Sequence, residues 1–184
     1  GARMSELVII IADDHPLFRG ALKQAVSGLD GQQTIMEAGD FEAARSAATA
    51  CNDADLMLLD LAMPGVSGFS GLMALRAEFS SLPIVIVSAT DDPATMRRAI
   101  ELGASGFISK SSGIEDMRAG IRAVLEGDVW VPASCQSGQE QDADMADLIN
   151  RLRTLTPQQS RVLGMVGEGL LNKQIAYELG VSEA

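Results

Sequence analysis

Two adjacent aspartates, Asp13 and Asp14, follow the apolar run VIIIA of residues 8–12. A segment suited to burial does not end in two like charges unless something offsets their repulsion. Asp60 closes a second apolar run, ADLMLLD (54–60); Ser88 ends PIVIVS (83–88), and Lys110 follows FIS. If these runs are parallel strands of one sheet, their carboxyl ends share a rim, and a residue just past a strand end stays close to it. Three carboxylates then meet, with a hydroxyl and an ammonium on the flank. Two carboxylates about 4 Å apart repel by about 4 kcal/mol at an effective dielectric of about 20. A trio therefore needs protons or a cation. Oxygen-only ligands select a hard ion, and an open octahedral Mg²⁺ is the natural choice. His15, the only histidine, falls outside the ligand set on the same ground of hardness. A carboxylate so placed can attack phosphorus and become an acyl phosphate, while Lys110 and the Ser88 hydroxyl bind other phosphoryl oxygens. The chemistry is in-line phosphoryl transfer to an aspartate.

The elements needed to position these groups are legible along the chain. Leu7 to Ala12 reads as a strand and Pro16 to about Ser27 as a helix opened by a proline. Thr34 to Ala38 is a weaker strand, after which Asp40 caps a helix through about Ala50. The third and fourth strands, 54–60 and 83–88, are almost wholly apolar, as expected of parallel strands covered on both faces. Between them a loop with Pro64, Gly65 and Gly68 leads into a helix ending near Phe79. Asp92-Pro93 opens a helix carrying Met96, Ala99 and Ile100 on one face, and Gly103 stops it. Ala104 to Ile108 is the fifth strand. Ser112 and Glu115 form a capping-box pattern for a helix with Ile114, Met117, Ile121 and Leu125 on one side. Met57, Met63 and Met73 are assigned to packing. Five strand–helix units in strict alternation define a doubly wound α/β domain over 5–127 with right-handed crossovers.

Beyond it, DVWVPA (128–133) reads as a short extension packed on this domain, and SCQSGQEQDAD (134–144) as a polar linker, so that 128–150 joins two units. Thr156-Pro157-x-Gln159 then caps a helix with Val162, Leu163, Val166 and Leu170 at helical spacing, and NKQIAYELG (172–180) is a shorter helix stopped by Gly180. The chain of 184 residues is 47% hydrophobic and 21% charged, the composition of a globular protein. Its 25 acidic residues against 14 basic ones give a net charge of −11, which excludes binding to nucleic acid or an anionic membrane by charge alone. Two distant cysteines without a metal-binding spacing read as free thiols. Gly1 to Arg3 read as residues added ahead of a natural start at Met4. With neither a signal-peptide core nor an apolar run near membrane-spanning length, the expectation is a cytoplasmic protein with no membrane partner.

The stretch LLDLAMPGVSG around Asp60, the Asp13-Asp14 pair, Ser88-Ala89 and FISK (107–110) closely resemble the receiver domain of two-component response regulators. The resemblance implies a flavodoxin-like five-stranded sheet of order 2-1-3-4-5. It implies Asp60 as the phospho-acceptor, with Asp13, Asp14, Asp60 and the backbone carbonyl of Ala62 as Mg²⁺ ligands. It further implies Lys110 and Ser88 as the groups that read the phosphoryl, and Phe107 as an aromatic switch that moves inward with Ser88. The only catalysis implied is the protein's own phosphorylation and dephosphorylation. Ser88, Phe107 and Ser111 stand where many relatives carry threonine, tyrosine and proline, variations that bear on the rate of phosphate loss. An aspartate-dependent phosphohydrolase of the haloacid dehalogenase type is disfavoured, because its general acid would occupy the position of Ala62. A receiver acting as a phosphorylation-independent binding module remains the alternative.

LTPQQSRVLGMVGEGLLNKQIAYELGVSEA (155–184) resembles the opening of the helix-turn-helix domain of NarL/LuxR regulators. Residues 151–184 then form a short all-α fragment in which 172–179 match the helix that braces on the DNA backbone, with the recognition helix missing. Lys173 is a weak DNA-contact candidate, since Arg161 and Lys173 are set against Glu168, Glu178 and Glu183, which is no electrostatic footprint for DNA. The partners implied are a sensor histidine kinase, promoter DNA for the full-length protein, and a second copy on activation.

Overall fold

The computed structural model describes residues 6–90 and 92–132. Five strands, β1 (Glu6–Ala12), β2 (Gln32–Ala38), β3 (Leu56–Asp60), β4 (Ile84–Ser88) and β5 (Gly106–Ser109), alternate with five helices. The helices are α1 (Pro16–Ser27), α2 (Phe41–Ala50), α3 (Ser70–Glu78), α4 (Pro93–Glu101) and α5 (Ile114–Leu125). All strand pairs are parallel, and the order is β2-β1-β3-β4-β5. The order reverses between β1 and β3, which places a crevice beyond the carboxyl ends of those two strands.

Side-chain alternation along the strands builds two cores. Ile10, Ala12, Met57, Leu59, Ile84, Ile86 and Phe107 pack with residues of α2, α3 and α4. Ile9, Ile11, Leu56, Leu58, Val85, Val87 and Ile108 pack on the other face with residues of α1 and α5. Every residue of β3 and β4 is buried, because helices cover both faces. The sheet holds the site by this double burial: shifting any strand by one register would drive its apolar set into the wrong layer.

The helix starts follow local chemistry. Asp40 and Asp92 accept hydrogen bonds from the backbone N–H groups of Ala43 and Thr95, as N-caps do. Pro16 and Pro93 occupy first-turn positions, where a missing N–H costs nothing. Gly103 sits at φ +105°, and a Cβ there would stand 2.9 Å from Nε of the buried Arg76, so glycine is required on two counts. Arg118 of α5 donates from Nε and Nη2 to the carbonyls of Ala25 and Gln24, closing the C-terminal turn of α1. After α5 the chain returns to the sheet edge. The Phe107 N–H donates to Trp130 O, and the Trp130 N–H donates to Ser105 O.

Three expectations need correction. The helix α5 is capped by Gly113 with no side-chain cap, so Ser112 and Glu115 form no capping box. The Ser112 N–H is committed to Ser109 O in the turn that follows β5, and Glu115 instead accepts from Arg118 Nη1 at 2.7 Å. Met57 and Met63 are buried as packing residues, whereas Met73 is 51% exposed, on the outer side of α3. The fifth strand lies at Gly106–Ser109, later than 104–108, because the Ala104 N–H is used by Ala99 O to close the α4 terminus. The helices expected within 157–180, the linker 134–144 and Lys173 lie outside the described residues.

Candidate functional site

Each site residue is delivered by the end of a strand. The Ala12–Leu59 pair is the last of the β1–β3 ladder, so Asp13 and Asp60 emerge one residue later on neighbouring strands. Asp13 is held by its backbone, the N–H donating to Ala38 O at 2.9 Å and the carbonyl accepting from Arg19 Nη1 at 2.7 Å. Its Oδ1 accepts the His15 N–H at 2.7 Å, a local turn that also starts α1. Asp60 ends β3 beside Val87 of β4, and its Oδ1 accepts the Ala62 N–H at 3.1 Å. Lys110 follows β5, with its N–H bound to Ser88 O at 2.8 Å.

Three carboxylates therefore converge, as their positions at strand ends require. Asp13 is fully buried and Asp60 is 2% exposed, while Asp14 stands at the surface. Ligand atoms of Asp13, Asp14, His15 and Asp60 all lie within 4.8 Å of one another. Lys110 Nζ stands 3.2 Å from Asp60 Oδ2 and 3.2 Å from Asp13 Oδ2. It donates a hydrogen bond to the Asp60 oxygen, but Asp13 Oδ2 has no hydrogen-bond partner despite complete burial. A buried oxygen with an ion pair but no hydrogen bond, beside two more carboxylates, suits a divalent cation, and the donor set fits Mg²⁺. The Lys110 ammonium is also held from the other side, its Nζ lying 4.9 Å from the centroid of the Phe18 ring.

The site opens into a cleft of about 440 Å³ lined by His15, Leu17, Phe18, Ala21, Asp60, Ala62, Ala89 and Lys110. Ser88 is buried at the rim, its Oγ accepting the Thr90 N–H at 3.0 Å, one residue past the Val87–Asp60 pair. Phe107 is fully buried among the residues packed against α4, beneath the rim. Sequence reasoning left His15 aside; its Nδ1 in fact lies 3.2 Å from both Asp13 Oδ1 and Asp14 Oδ1 and 3.5 Å from Asp60 Oδ2. The available signal was its place immediately after the acidic pair.

A parallel sheet of this order with an acidic trio and a lysine at one rim is the architecture of a receiver-type signalling domain. The profile of the family described as response regulator receiver domain matches residues 9–122, and that of the bacterial regulatory proteins of the luxR family matches 153–184. The chain belongs to the response regulators of the NarL/LuxR class. It is 41% identical over 182 residues to the glycerol metabolism activator of Pseudomonas putida, covering 95% of this chain and 82% of that protein. It is 35% identical over 176 residues to the nitrate/nitrite response regulator NarP of Escherichia coli K12, covering 95% and 81%. Among solved structures it resembles the signal receiver domain of the response regulator NarL from Mycobacterium tuberculosis. The TM-score there is 0.60 at 31% identity, over 67% of this chain and 98% of that one. Among the described residues no helix is long and apolar enough to cross a membrane.

Proposed function

We propose that Asp60 accepts a phosphoryl group from a sensor histidine kinase and that this event sets the DNA-binding state of the protein. The observation that carries the proposal is one lysine standing 3.2 Å from a nearly buried Asp60 oxygen and from a buried Asp13 oxygen that has no hydrogen bond. In the transfer, an Asp60 oxygen forms the new P–O bond while the P–N bond of the donor phosphohistidine breaks, its electron pair returning to the imidazole. Asp60 Oδ2 is the attacking oxygen in this reading: Oδ1 is held by the Ala62 backbone N–H, while the Lys110 ammonium that donates to Oδ2 is free to move onto the phosphoryl group. Asp13, Asp14, Asp60 and the Ala62 carbonyl would hold Mg²⁺. When bound, that ion neutralises the carboxylates and the incoming phosphoryl oxygens.

Lys110 leaves the carboxylates to bind a phosphoryl oxygen, and Ser88 exchanges its bond with the Thr90 N–H for one to the same group. Movement of Ser88 is passed along the rim to β5 and Phe107, shifting a pre-existing equilibrium of the α4–β5–α5 surface. In this assignment 5–127 is the receiver, 128–150 the extension and linker, and 151–184 part of a helix-turn-helix unit that meets promoter DNA as a dimer in the cytoplasm. The deciding experiment is intact mass after incubation with acetyl phosphate, with and without Mg²⁺, on this chain and on Asp60→Asn. The expected result is a Mg²⁺-dependent gain of one phosphoryl group, absent from the variant. A folded chain that gains none is a binding module, and the switch proposed here is then wrong.

A further inference from the structure

Asp13 owes its placement to a neighbour that the phosphoryl chemistry does not use. Its carbonyl accepts from Arg19 Nη1 at 2.7 Å, while Arg19 Nε stands 3.0 Å from Glu37 Oε1. Arg19 lies in the first turn of α1, where its N–H donates to His15 O at 2.9 Å. Helical side chains lean toward the N-terminus, so this one reaches back over the turn that Asp13 opens. Glu37 pairs with Ile11 near the end of β2, one residue before Ala38, whose carbonyl accepts the Asp13 N–H at 2.9 Å. The last two residues of β2 therefore hold Asp13 at both ends of its backbone, one directly and one through Arg19.

The clamped carbonyl belongs to the peptide unit that joins Asp13 to Asp14. That unit is planar, so a hydrogen bond to its oxygen fixes the direction in which both residues leave it. Asp13 is fully buried with one carboxylate oxygen lacking a hydrogen bond, and Asp14 reaches the same cluster from the surface. The two carboxylates repel, so neither holds the other in place. The planar guanidinium serves two acceptors in fixed directions, where an ammonium would impose none. Arg19 is itself 24% exposed, and the second oxygen of Glu37 is tied to Lys23 Nζ at 3.0 Å, so the brace is anchored between α1 and β2.

We propose that Arg19, braced by Glu37, is a positioning residue that sets the Asp13–Asp14 peptide for cation binding. The inference rests on the reading that Asp13, Asp14 and Asp60 hold Mg²⁺. Two simpler roles have different consequences. A brace for the fold alone would change stability and leave Mg²⁺ affinity as it is. A cation acting only through space would oppose Mg²⁺, so its removal would tighten binding. Only positioning makes the loss of one positive charge weaken the binding of another.

The test is an Mg²⁺ titration of backbone amide resonances, without phosphodonor, on this chain and on Arg19→Met, Glu37→Ala and the double variant. The Mg²⁺ dissociation constant should rise about 10-fold or more in Arg19→Met, the order commonly lost when a metal ligand's support is removed. Glu37→Ala should raise it less, and the double variant should match Arg19→Met within about 2-fold, because Glu37 acts through Arg19. With acetyl phosphate at saturating Mg²⁺ the limiting rate should stay within about 3-fold of the parent's, since Asp60 and Lys110 are left in place. An unchanged or tighter constant in Arg19→Met overturns the proposal, as does a double variant whose losses add. Should Arg19→Met not fold, Arg19→Lys decides: it keeps the charge without the planar fork, and parent-like Mg²⁺ affinity overturns the assignment. No Mg²⁺-dependent shift in the parent chain overturns the cation reading and this one with it.

Discussion

Replacing Lys110 with methionine isolates the charge that holds the acidic site together. Methionine keeps a flexible apolar side chain of similar length and deletes the ammonium, together with its contact with the Phe18 ring. Lys110 Nζ stands 3.2 Å from a carboxylate oxygen of Asp13 and of Asp60, and its side chain is 15% exposed. At an effective dielectric of about 20 each attraction is about 5 kcal/mol. The two carboxylates have oxygens within 4.8 Å of each other, a repulsion of at least about 3.5 kcal/mol on the same scale. Attraction thus exceeds repulsion by at most roughly 7 kcal/mol before the cost of desolvating the ammonium is subtracted. Deleting one partner of a buried ionic group leaves a net loss of about 3–5 kcal/mol. For a domain of this size that lowers Tm by about 12–20 °C. Scanning calorimetry in chelator should show this loss. Saturating Mg²⁺ should restore at least half of it and raise the variant's Tm by more than the parent's, because the cation replaces the missing positive charge. A Tm in chelator within about 3 °C of the parent's, or an equal Mg²⁺ effect on both chains, would refute the assignment of Lys110 as counter-ion of a cation site.

Other outcomes follow from contacts away from the site. Gly28→Ala places a Cβ on the Arg118 guanidinium and pushes it off the Ala25 and Gln24 carbonyls. The expected loss is about 1–3 kcal/mol by denaturant unfolding, and it should be no larger when combined with Arg118→Met. Gly120→Ala improves helix propensity by about 1 kcal/mol, yet its Cβ would stand 2.8 Å from the Trp130 ring. The single tryptophan should therefore shift its emission to the red while stability falls. The Asp92 carboxyl is held below its ordinary pKa, chiefly by the Thr95 N–H and then by the Thr95 hydroxyl. A depressed folded-state value means stabilisation present above the unfolded pKa of about 3.9 and lost as pH falls through the folded one. Asp92→Asn should therefore flatten the fall in Tm between about pH 5 and pH 2, and an unchanged slope would remove the cap from the account.

Much of this protein was legible from its residues. The apolar runs ending in Asp60 and Ser88 could only be parallel strands buried on both faces, and strands of one direction must bring their terminal residues to one edge. The proline and aspartate starts of α1, α2 and α4 are decisions taken within four residues, so local chemistry settled them. The start of α5 was misread for the complementary reason. Ser112 and Glu115 match a capping box, but the Ser112 N–H is claimed by Ser109 in a turn whose shape depends on where β5 ends. Met73 likewise shares helical spacing with buried neighbours, and only the placement of α3 on the sheet turns it outward.

The sequence by itself determined which groups exist and at which strand ends they stand: three carboxylates, a hydroxyl and a lysine, spaced by a regular alternation of strand and helix. Tertiary structure decided how near they come and what else joins them. The Asp13 oxygen without a hydrogen bond, the lysine shared between two carboxylates and the His15 ring inside the cluster all depend on side chains from β1, β3 and β5 meeting. Residue types report hardness and charge, which is why His15 was set aside. Distances of 3.0–3.5 Å across segments as far apart as 95 residues arise only when the sheet closes.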